Sequence, residues 1–152
     1  MLFRSRHYRE FGTAAIFVSR MVAQLASVYG LANRCDEGLR VLGSSPDRQE
    51  GQRRVRYPEI SRIEGDLHLN KAKSDPQLAE HFYKEAIAIA LEDENRAKQL
   101  RATTSLAKLW QSEGQIADAI SMLQPLYESF TEGFDMPDMK NARALLESLK
   151  SM

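Results

Sequence analysis

The chain has 152 residues, 43% of them hydrophobic and 28% charged, proportions that fit one globular domain with its own core and exclude a disordered, fibrous or wholly membrane-embedded class. Lysine plus arginine equals aspartate plus glutamate at 21 each, so no global field draws the chain toward nucleic acid, a membrane surface or an acidic substrate. The lone Cys35 excludes an internal disulfide and fits a reducing compartment, with the cytoplasm as the simplest address.

Residues 1–13 read as an N-terminal arm whose order the sequence leaves open, with a helix favoured over a transit peptide. Arg4, Arg6 and Arg9 precede an apolar stretch, but Ala14 to Val18 is too short for a signal-peptide core, and Ser19-Arg20 is expected to break any longer apolar run. No stretch therefore approaches the length of about 18 apolar residues that a membrane span needs. From residue 14, Val18, Met21, Val22, Leu25, Val28 and Tyr29 follow the three-and-four spacing of one helical face. Gly30 and Asn33 loosen that helix, and a shorter one follows with Leu39 and Leu42 facing inward. This first hairpin spans residues 14–43. Arg48, Arg53, Arg54 and Arg56 then crowd a segment that reads as a solvated loop, with phosphate binding as the weaker alternative.

The second hairpin, residues 57–91, opens at Tyr57-Pro58, where proline suits the first helical turn, and its second helix starts at Asp75-Pro76, an acceptor cap followed by proline. A third hairpin covers 95–130, with Pro125 expected to bend its second helix. A last helix, 137–150, reads as a cap. Strand signals are nearly absent, so the fold class is all-α.

The hairpins repeat. Ala26, Gly65 and Ala107 share the small position of the first helix, and Gly38, Ala79 and Ala119 that of the second, at spacings of 39 and 42, then 41 and 40. A small side chain is required where two helices cross closely. Tyr29, His68 and Trp110 share one large register, and Leu42, Tyr83 and Leu123 another. This alternation resembles the tetratricopeptide pattern, although the period exceeds that family's repeat of about 34 residues, and a related helical-hairpin solenoid stays open. The expected architecture is a tetratricopeptide-like solenoid of about three hairpins plus the cap.

A closer resemblance lies in Leu100-Arg101-Ala102-Thr103-Thr104-Ser105-Leu106-Ala107-Lys108-Leu109-Trp110 and in the run from Leu123 to Asp135, with Glu59 to Leu67 and Ala79 to Ala86 matching the preceding repeat. These segments resemble the C-terminal tetratricopeptide region of bacterial signalling proteins that join a class III adenylate or guanylate cyclase domain to a P-loop ATPase domain. The resemblance covers roughly residues 21 to 149. It implies a non-enzymatic interaction tail, standing alone or truncated, or else a regulatory subunit acting in trans on a separately encoded cyclase or ATPase. No Gly-x-x-x-x-Gly-Lys-Ser/Thr loop occurs.

No catalytic, cofactor or metal site is expected. His7, His68 and His81, with Asp66 and Glu80 nearby, match no ligand spacing, and His68 already fills a packing register. Cys35 lacks a partnering base and reads as buried, while Glu92-Asp93-Glu94 reads as a solvated turn. Trp110, Tyr127, Phe130 and Phe134 read mostly as core. The partner is expected to be a protein or peptide, with no nucleic acid and no membrane. Polar residues on the first helix of each hairpin would line its groove: Gln24, Arg62, Asp66, Lys108 and Gln111. Phe11, Phe17, Met21 and Val28, at the uncapped end of the stack, are expected to meet a second copy.

Overall fold

The computed structural model describes residues 3–45 and 57–152, with side chains from residue 14. The arginine-rich segment and the side chains of His7 and Phe11 lie outside the described residues. Among the described residues seven helices follow one another: α1 (Phe3–Leu31), α2 (Cys35–Gly43), α3 (Pro58–Asn70), α4 (Pro76–Glu92), α5 (Arg96–Ser112), α6 (Ile116–Glu128) and α7 (Pro137–Lys150). No strand occurs among the described residues, so the fold is all-α.

Helix starts follow local chemistry. Tyr57 is extended (φ −115°, ψ 113°), as a residue before proline must be, and Pro58 occupies the first turn, where its missing N–H costs nothing. The Asp75 carboxylate accepts from the Leu78 amide at 3.0 Å, and the Asn95 side chain accepts from the Lys98 amide at 3.1 Å. Three helix stops, those of α1, α4 and α5, share one geometry. Asn33, Glu94 and Gly114 have φ of 57°, 53° and 79°, and the next residue's amide reaches back five positions, to Tyr29, Ala90 and Trp110. This is the Schellman closure, which turns the chain sharply into the following helix.

Each helix packs on its neighbour within the pairs α1/α2, α3/α4 and α5/α6, and α1, α3, α5 and α7 also touch in succession. The small positions are where contact is closest. Ala26, Ala79, Ala107 and Ala119 are fully buried. A β-carbon on Gly65 would fall 2.7 Å from the Tyr83 ring and 3.1 Å from the Ala79 carbonyl oxygen. Two apolar clusters result. One joins Ala23, Ala26, Leu42, Ile60, Ile63 and Leu67 of the first three helices; the other gathers α4 to α7 around Leu106, Trp110, Leu123 and Leu146.

Four expectations change. First, α1 runs from Phe3 rather than from residue 14, since no proline interrupts the arm. Second, Ser19-Arg20 does not break it: Ser19 is buried and bonded to Ser45 at 3.3 Å. The apolar runs on either side therefore join, and Ala14–Leu31, 18 residues with a mean hydropathy of 1.4, is long and apolar enough to cross a membrane by length and composition.

Third, α1 turns its small residues, Ser19, Ala23 and Ala26, inward, so that Val18 and Leu25 are exposed together with Met21 and Val28, the two already placed on the open end. Close approach of α2 and α3 selects the small face. Fourth, the large register is uneven. Trp110 is buried, but Tyr29 and His68 are only partly so, and Phe134 is 48% exposed, edge-on to Tyr127. Pro125 sits on the exposed side of α6, which continues through it to Glu128.

Gly65→Ala forces the Tyr83 ring or the α3–α4 spacing to shift and should destabilise by about 1–3 kcal/mol in urea unfolding. Glu94→Gly relieves a left-handed residue in an exposed turn and should stabilise by about 1 kcal/mol in the same assay.

Candidate interaction trough

The polar centre of the molecule is built around Glu59. As the second residue of α3 it sits where the helix dipole favours an anion, and its residue exposure is only 7%. Arg62, one turn on, donates through Nε to Oε1 at 3.2 Å and through a terminal nitrogen to Oε2 at 3.3 Å. Arg101 of α5 donates to Oε2 at 3.0 Å, and Lys98 stands 3.9 Å from Oε1. Burial pulls the Glu59 carboxyl upward, but the charge and hydrogen bonds of Arg62, with Lys98 and Arg101 behind them, outweigh it and hold the group below the usual carboxylate range.

The network extends in both directions. Arg62 also donates to Asp66 at 2.7 Å, and the Tyr83 hydroxyl donates to the other Asp66 oxygen at 2.7 Å. Burial opposes the Arg62 charge, and Asp66 and Glu59 more than restore it. Burial and then Asp66 push the Tyr83 hydroxyl well above the ordinary phenol range, so it remains a donor. On the other side Arg101 grips Asp138 of α7 with both faces of its fork, Nε to Oδ1 at 3.0 Å and a terminal nitrogen to Oδ2 at 2.7 Å. Four helices, α3, α4, α5 and α7, are thereby tied together by charge.

Three adjoining hollows, all bordered by Arg62, form a shallow trough along this network. The largest, about 650 Å³, lies between α1 and α3 and is lined by Gln24, Ser27, Tyr57 and Lys98 among others. The second, about 300 Å³, is bounded by Thr104, Lys108, Asp138 and Asn141. The third, about 350 Å³, is bounded by Asp66, Tyr83 and Lys108. Five cations, Arg20, Arg62, Lys98, Arg101 and Lys108, meet three carboxylates, Glu59, Asp66 and Asp138. The lining is cationic on balance.

Of the residues expected to line a groove, Gln24, Arg62, Asp66 and Lys108 border this trough. Gln111 does not. It turns to α7, where its amide donates to Ser148 Oγ at 3.0 Å, because its position near the end of α5 faces the last helix rather than the hollows. Sequence reasoning missed Glu59, Lys98, Arg101 and Asp138: Arg62 stands three residues from Glu59, but the pairs that join Glu59 to Arg101 and Lys98, and Arg101 to Asp138, cross between helices; the signal was there, since Glu59 and Arg101 stand one repeat period apart.

The remaining chemistry-bearing groups do not converge. His68 stacks on Phe82 at 5.4 Å and His81 meets the same ring edge-on at 5.4 Å. Burial and Lys71 lower the His68 pKa against the pull of Asp75. Cys35 is buried, and no group of three potential metal ligands occurs among the described residues. Compared with known proteins, the chain matches no family model, no curated protein and no solved structure.

Because the Glu59 pKa is depressed, its contribution to stability is complete above the unfolded value near about 4.3 and disappears as pH falls through the lower folded value. Urea midpoints should therefore drop on acidification below about pH 4.3, and Glu59→Gln should flatten that part of the profile. At neutral pH the same substitution should destabilise by about 3 kcal/mol, because it leaves a buried guanidinium under-compensated.

Proposed function

We propose that the chain is a non-enzymatic interaction module, a tetratricopeptide-like stack of three hairpins and a cap that binds an extended protein segment along the trough. The observation that carries this reading is the line of α1, α3, α5 and α7, whose polar side chains face one shallow, solvent-open depression. Stacked helical hairpins bind partners on such a surface. The charge balance selects the partner's chemistry. With five cations against three carboxylates, a segment carrying acidic side chains is favoured over a basic one.

Lys108 is the contact of choice within this reading. It is exposed, borders two of the three hollows, and makes no ion pair among the described residues, so its charge is available to a ligand. The resemblance of the chain to the tails of cyclase–ATPase proteins supports a signalling enzyme, encoded separately, as the bearer of the acidic segment.

A fluorescent oligoglutamate peptide provides the first test. Its anisotropy-measured affinity should weaken with added salt and fall about tenfold, close to 1.4 kcal/mol, in Lys108→Glu. Thermal stability should stay unchanged. Equal affinity of the two proteins, or equal affinity for an oligolysine control, would remove the trough from consideration.

A further inference from the structure

The exposed face of α1 carries a pattern that its own fold does not use. Ala14, Val18, Met21, Leu25, Val28 and Ala32 are separated by four, three, four, three and four residues, and all six are exposed. Val28 and Met21 expose 60% and 56% of their surface. Such alternation of threes and fours is the seam of a coiled coil, the period by which one helix packs its knobs into another. It continues past the last residue of α1, because the Ala32 amide still donates to the Val28 carbonyl at 3.0 Å.

The order of sizes along the seam identifies the partner helix. Read from either end it gives alanine, valine, a long flexible side chain, a second long flexible side chain, valine, alanine. In an antiparallel pair, a-type positions of one helix face d-type positions of the other. Laying this seam against a reversed copy of itself sets Ala14 on Ala32, Val18 on Val28 and Met21 on Leu25, and each layer recurs on the far side of the two-fold axis. Every layer is matched in size, which is what an isologous interface requires of a single surface.

Charge and area agree. No seam position is charged, and Arg20 lies off the seam, on the side of α1 that borders the trough. With Phe17 and Leu31, 61% and 85% exposed on its flank, two such faces would cover on the order of 1,200 Å², the lower range of specific interfaces. A lipid bilayer fits less well. A spanning helix needs an apolar surface all round, whereas the opposite side of α1 is spent on Ser19, Ala23 and Ala26, packed inside the protein; a helix lying in the interface is flanked by several lysines or arginines, and residues 14–31 hold only Arg20. We propose that two copies of this chain associate through an antiparallel coiled coil of their α1 helices, centred between Met21 and Leu25.

Sedimentation equilibrium of the full chain over a micromolar concentration series should give twice the chain mass. Met21→Glu combined with Leu25→Glu should give the single mass, with helical circular dichroism retained because both positions face outward and a thermal midpoint that no longer rises with protein concentration. Orientation is read by oxidation with the buried Cys35 left in place: chains bearing Met21→Cys and chains bearing Leu25→Cys should crosslink with each other faster than either does with itself. A single mass for the unaltered chain, a dimer that survives the double glutamate change, or faster self-crosslinking of each cysteine variant would overturn the proposal. So would flotation of the chain with phosphatidylcholine–phosphatidylserine vesicles that the double glutamate variant loses, since the stripe would then serve a membrane.

Discussion

A single buried carboxylate, Glu59, organises the polar contact between α3 and α5, beside the close α3–α4 crossing at Gly65 that joins the two halves of this molecule. The apolar side chains divide into one cluster under α1 to α3 and another under α4 to α7. Much of the junction between α3 and α5 is polar, and Glu59 sits in it with Arg62 on one side and Arg101 and Lys98 on the other. A carboxylate in such a place is tolerable only because several donors replace the water it has lost. The same donors are then committed to it, so their positions are fixed by the fold rather than left to solvent.

That commitment explains why the trough is shallow yet ordered. Arg62 is held between Glu59 and Asp66, and Arg101 between Glu59 and Asp138. Guanidinium groups clamped at both ends lose little further freedom on meeting a ligand, which lowers the entropic cost of recognition. Tyr83 extends the arrangement into α4, closing against Gly65 while its hydroxyl fixes Asp66. One glycine thus sets the depth at which an aromatic ring enters and, through it, the orientation of a carboxylate on the trough wall.

Much of this fold is written in local chemistry, and those parts are legible. Asp75-Pro76, Asn95 and Tyr57-Pro58 announce helix starts because capping and proline sterics act within a few residues. The small positions Gly38, Gly65, Ala79, Ala107 and Ala119 are equally readable, since close helix crossing leaves no alternative. Glu94 gives no such sign: its left-handed conformation is imposed by the following helix, not by its own preference. The charge network is half legible for the same reason. Arg62 and Asp66 meet four apart on one helix, while Arg101 reaches partners 42 and 37 residues away. In α1 the apolar period was clear but not its direction, because large residues mark a face that can be buried and only the small opposite face shows which one the neighbours approach.

The two surfaces of α1 are not independent. Gln24 and Val28 line the largest hollow of the trough, yet Val28 belongs to the apolar seam and Gln24 flanks the centre of it. A helix laid along that seam would therefore form one wall of the hollow, burying the rim beside Val28 and bringing a second Gln24 close to the first across the two-fold axis. Pairing would convert an open depression at the end of the stack into a deeper cleft shared between copies. The trough's far end, at Lys108 and Asp138 on α5 and α7, lies farther along the succession of helices and is left untouched by such pairing. The physical division is between the apolar seam of α1, suited to a constant partner, and the exposed charge of Lys108, suited to an exchangeable one, since desolvated apolar area holds in salt while exposed charge does not.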